Sequence, residues 1–163
     1  MKRHLQLSAL ALAAITLFPS CDGESPAAPS LPDGDVTPFT LHAAPTSGLT
    51  MSQRVVVRTE AELATIWEQI FSDVAMPDEI PVVDFNRDMV LVVASGEKPE
   101  SCNTIEITSA FGDGTDLTAT VTETGPSAGC DCAATLSQPV EVARVPRANE
   151  VNFLELLATS CPI

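Results

Sequence analysis

The chain has 163 residues, 45% of them hydrophobic, with 22 acidic against 8 basic side chains and a formal charge of −14 at pH 7. Such a length supports one ordinary domain with its own core and leaves little for a second. The acidic field repels phosphate backbones and anionic headgroups, which argues against a nucleic-acid partner and favours cationic ones; keeping an exported protein soluble is its plainest use.

Lys2, Arg3 and His4 precede an apolar stretch from Ala9 to Phe18 whose one polar member is Thr16. Spanning a bilayer as a helix takes about 20 apolar residues, so residues 1–20 read as a cleavable export signal. Ser20 followed by Cys21 resembles a bacterial lipoprotein cleavage site. That resemblance implies a lipid on Cys21 as the membrane attachment, in the bacterial cell envelope, facing the periplasm or the exterior. Residues 21–36 combine Pro26, Pro29 and Pro32 with Ser, Ala, Gly and acids, too little apolar surface to order itself. They read as an extended acidic tether, with the globular body at 37–163.

Short apolar segments follow. "PFTLHA" alternates Phe39, Leu41 and Ala43, and "SQRVVVRT" supplies a β-branched run; both read as strands. The period then changes. In "TEAELATIWEQIF", Leu63, Ile66, Trp67, Ile70 and Phe71 fall on one helical face, with Trp67 in the middle of the core stripe. Thr59 and Glu62 form a capping box that starts the helix at Glu60, so it covers about 60–71. Past Pro77 and Pro81, the uninterrupted "DMVLVVASG" predicts a strand buried on both faces. "NTIEITSA" and "DLTATVTET" alternate around "FGDGT", a hairpin turn in which Asp113 and Asp116 serve the local backbone. "QPVEVARVP" and "EVNFLEL" complete the set. About seven strands and one amphipathic helix predict an α+β domain, mainly antiparallel, its sheet curled into a sandwich or open barrel.

The order "VVVRT", "ELATIW", "VVDFNRDMVLVVASGEKP", "IEI", "TVTETGP", "QPVEVARVP" and "VNF" resembles the PrcB family, lipoproteins named for a subunit that binds and stabilises a secreted surface protease. Its most specific pieces are Trp67, Asp84 with Phe85, the turn from Gly96 to Pro99, and Gln138 with Pro139. The resemblance implies a protein partner, an exported protease among the candidates. It implies neither catalytic residues nor a cofactor.

Five cysteines stand at 21, 102, 130, 132 and 161. With lipid on Cys21, the even set of Cys102, Cys130, Cys132 and Cys161 predicts disulfides in an exported protein. Cys130 and Cys132 are too near in an extended chain to suit each other. Cys102 with Cys130 plus Cys132 with Cys161, or the crossed alternative, remain equally open. A thiol-active protein using Cys130 and Cys132 is the competing reading, but Asp131 between them works against a lowered thiolate pKa. Zinc fits the spacing poorly. Gly125 to Gly129 match the G-x-S-x-G pattern around Ser127, yet no helix pattern and no histidine follow, so Ser127 reads as a turn residue. His42 has no recognisable partner in the sequence. A small-ligand carrier with a pocket between sheet and helix is a further alternative to protein binding.

Overall fold

The structure, a computed structural model, describes residues 31–161. Among these, β1 (Asp33–Val36), β2 (Phe39–Ala44), β3 (Ser52–Val57), α1 (Glu60–Ile70), β4 (Asp88–Ser95), β5 (Thr104–Asp113), β6 (Leu117–Pro126), β7 (Val140–Pro146) and β8 (Val151–Ser160) follow in chain order. The strands form two four-stranded sheets, β1-β5-β6-β8 and β2-β7-β4-β3. Of the two shapes the sequence leaves open, the sandwich is the one adopted.

The β2-β7-β4-β3 sheet is a middle layer. Met89, Leu91 and Val93 of β4 face the other sheet, where they meet Ile105, Ile107, Leu117, Ala119 and Val121. Val90, Val92 and Ala94 point the opposite way, against Leu63, Ile66, Trp67 and Ile70 of α1. Strand β4 is buried on both sides because a sheet covers one face and a helix the other, which is why its sequence is apolar without alternation. β7 shares this position and is buried from Val140 to Ala143.

Helix α1 begins where the capping residues place it. The Thr59 hydroxyl accepts from Glu62 N–H at 3.2 Å. The reciprocal half is displaced by one residue: the Glu62 carboxylate accepts from Arg58 N–H at 2.7 Å instead of from Thr59. Trp67 is buried, and its indole N–H donates to the Asp78 carbonyl at 2.9 Å.

Two features depart from the sequence reading. The first is β1, which lies within the stretch expected to be tether and raises the strand count to eight among the described residues. It pairs antiparallel with β5, Asp33 opposite Asp113 and Val36 opposite Ala110, while Leu31 and Val36 enter the core between the sheets. The ordered body therefore starts before residue 37. "DGDV" shows no alternation; what orders it is the backbone edge of β5, together with Gly112, where a Cβ would fall 2.4 Å from the Pro32 carbonyl oxygen.

The second is β8, which runs parallel to β6, with Leu117 opposite Val151 and Pro126 opposite Ser160. Between them the chain visits the other sheet as β7 and comes back. Two crossings restore the original direction, which a simple meander would have reversed. All other strand pairs among the described residues are antiparallel.

Candidate functional site

The polar residues that chemistry would need are engaged in holding the fold. Asp113 caps its own hairpin: its carboxylate accepts from Asp116 N–H at 2.8 Å and Thr115 N–H at 3.2 Å. Those backbone donors, Asp116 first, hold its pKa below the ordinary value. Ser127 follows the end of β6 in a turn, with its N–H donating to Ser160 O and no helix after it. Asp84 accepts from Asn86 N–H, and Arg147 donates to the Phe85 carbonyl at 2.7 Å. Among the described residues no group of three or more His, Cys, Asp or Glu is placed to hold a metal ion. Nor is any described helix long and apolar enough to cross a membrane.

The cysteines gather at one end of the sandwich. Cys102, in the β4–β5 connection, lies at disulfide distance from Cys132, with Cα atoms 5.7 Å apart. Cys130 lies at disulfide distance from Cys161, just past β8, at a Cα separation of 5.4 Å. Of the two schemes open from sequence this is the crossed one, and Cys130 and Cys132 do not pair with each other. Strand directions decide it: the β6–β7 connection passes between the β4–β5 turn on one side and the end of β8 on the other. Backbone bonds sew the same region, Lys98 N–H to Ser137 O and Ser137 N–H to Lys98 O at 2.8 and 3.0 Å. Lys98 also forms an ion pair with Glu123. Cys21 lies outside the described residues.

His42 gains partners that sequence reasoning missed. On β2 it meets Phe71 with ring centroids 4.9 Å apart and Trp67 at 5.7 Å, and its Nδ1 is 3.6 Å from an Asp78 carboxylate oxygen. Its alternation with Leu41 and Ala43 could not reveal this, because the two rings arrive from the helix and the carboxylate from the loop after it.

The least closed side of the molecule is the one where β3 and β8 stand, each the last strand of its own sheet. They are tied once across the gap, by Arg54 Nε and Nη2 donating to the two Glu155 carboxylate oxygens at 2.8 Å each. Beyond this tie β8 is exposed, with Leu154, Leu156 and Leu157 open to solvent. On the other flank, an open cleft of about 430 Å³ runs between β3 and α1, lined by Val55, Val57, Ala61, Thr65 and Ile66. Gln69 is shared with a second hollow of about 240 Å³ beside Thr50, Met51 and Gln53. One side thus carries two unpaired strand edges and a groove along one of them, an arrangement suited to holding polypeptide.

The architecture is a two-sheet sandwich with one covering helix. Residues 89–146, from β4 through β7, match the family described as PrcB C-terminal. No curated protein and no solved structure matches.

Proposed function

We propose that the protein is a lipid-anchored component of the bacterial envelope that binds and stabilises another exported protein, a secreted protease being the client the family points to, and that it performs no catalysis of its own. The match of residues 89–146 to the PrcB C-terminal family carries this reading. The residues behind it are structural: Gly96 takes φ +72° where a Cβ would lie 2.6 Å from Ser52 N, and Pro139 O accepts from Ser95 N–H. They hold a scaffold, and the scaffold leaves strand edges free on one side. Lipid on Cys21 would keep the domain near its client. Disulfides between Cys102 and Cys132 and between Cys130 and Cys161 would staple the far end, leaving no thiol pair for exchange.

Stabilisation by such a protein follows mass action. A client bound only when folded gains about 2.7 kcal/mol when the binder is present at 100 times its Kd. Deleting the gene should lower the abundance or lifetime of at least one exported protease, measured by quantitative proteomics of the envelope and medium. Unchanged levels of every exported protein would end the proposal. Mass spectrometry of the mature N-terminus should find a diacylglyceryl cysteine at Cys21.

A further inference from the structure

We propose that the cleft between β3 and α1 receives a single extended, lysine- or arginine-bearing segment of the partner, which adds as a strand to the free edge of β3. This rests on the protein-binding reading above and names its site and the chemistry it takes.

β3 is hydrogen-bonded to β4 on one side only. The helix lies over the face of this sheet, and hollows lined by β3 and α1 residues run along the strand. An added strand would find backbone donors and acceptors along β3 and apolar side chains of Val55, Val57 and Ile66 for every second residue, while the intervening residues face outward.

Charge completes the assignment. Helix α1 carries Glu60, Glu62 and Glu68 with no basic residue, and the one charged side chain lining the main cleft is Glu62. Of the two nearby arginines, Arg54 is paired with Glu155, and the Arg58 guanidinium does not line the cleft but donates to the carbonyls of Ala148 and Asn149. With a formal charge of −14 over the whole chain, the cleft repels acidic segments and attracts cationic ones.

The oxidised full-length protein in detergent can be titrated with three synthetic heptapeptides by calorimetry, with amide shifts followed by NMR. One alternates lysine and valine, one has glutamate in place of each lysine, and one keeps the lysines but has proline for the central valine. The lysine-valine peptide should bind with shifts at Ser52–Val57 and along α1, and the other two should bind about tenfold more weakly or worse. Ala61 and Thr65 are exposed, so Thr65→Arg should leave the melting temperature unchanged and cut affinity about tenfold, whereas Leu156→Arg on β8 should not affect it. Equal binding of the lysine and proline peptides would reduce the effect to charge alone and overturn the proposal, as would shifts confined to β8 or an inert Thr65→Arg. If the lysine-valine peptide fails while an exported protein still depends on the gene, the cleft assignment falls and the wider reading stands. If no exported protein depends on the gene, the wider reading falls whatever the peptide does.

Discussion

Glu141 is the most demanding side chain in the structure. It sits on β7 between the two sheets, 4% exposed, and accepts from Thr40 Oγ1 at 2.7 Å and from the backbone N–H of Ile107. Ile107 borders the irregularity in the β5–β6 ladder, before Ser109, so the carboxylate serves a donor beside a break in regular pairing. A buried acceptor that satisfies a backbone N–H is costly to alter. Glu141→Gln, which can turn a donor toward a donor, should lose roughly 1–3 kcal/mol in denaturant unfolding, and Thr40→Val less. In "QPVEVARVP" this glutamate looks like the solvent-facing member of an alternating strand; only the second sheet shows that both faces are covered. Asp113 and Glu62 are simpler. Arg58 N–H, ahead of the other causes, lowers the Glu62 pKa, and Asp116 N–H does so for Asp113. Both folded-state values lie below the unfolded ones, so the stabilisation is present at neutral pH and lost as pH falls through the folded values. Asp113→Asn should therefore lower the denaturant midpoint at neutral pH, the difference from wild type shrinking as pH falls below about 4.

Elements were legible in the sequence to the extent that their causes are local. Helix α1 starts at Glu60 as its cap dictates and ends at Ile70, and β4 declares its double burial by an unbroken apolar run. β1 is held by a partner strand far along the chain and by Leu31, and the parallel course of β8 follows from a detour through the other sheet. Neither fact is written in "DGDV" or "EVNFLEL". Cysteine pairing has the same character: composition and compartment suggest staples, but only the route of the β6–β7 connection selects Cys102 with Cys132. Each pair closes an interval of about thirty residues, with sequence separations of 30 and 31. Replacing both members of either pair by alanine should cost roughly 3–4 kcal/mol in the chain-entropy model, read from denaturant curves. The unreduced wild-type protein should show no titratable thiol among these four.

The sandwich as a whole is asymmetric in how its sides are closed. Next to β1 and β2 the chain itself passes from one sheet to the other, through Thr37 and Pro38. Next to β3 and β8, the Arg54–Glu155 pair bridges the sheets, with Arg54 also donating to the Ala94 and Gln53 carbonyls. Arg54→Ala should cost about 1 kcal/mol, less in high salt, and should speed amide exchange in β8 while leaving β4 and β7 protected. Neither the groove nor this tie can be read from the sequence, since Arg54 in "SQRVVVRT" and Glu155 in "FLELL" give no sign that they meet. In the β1-β5-β6-β8 sheet, β1 and β8 are the two outermost strands. A lipid on Cys21 would moor the protein by the β1 flank, through a line that reaches at most about 40 Å at full stretch. The opposite flank would then be the berth presented to a passing polypeptide, and the strand that receives the cargo, β3, belongs to the other sheet from the one moored through β1.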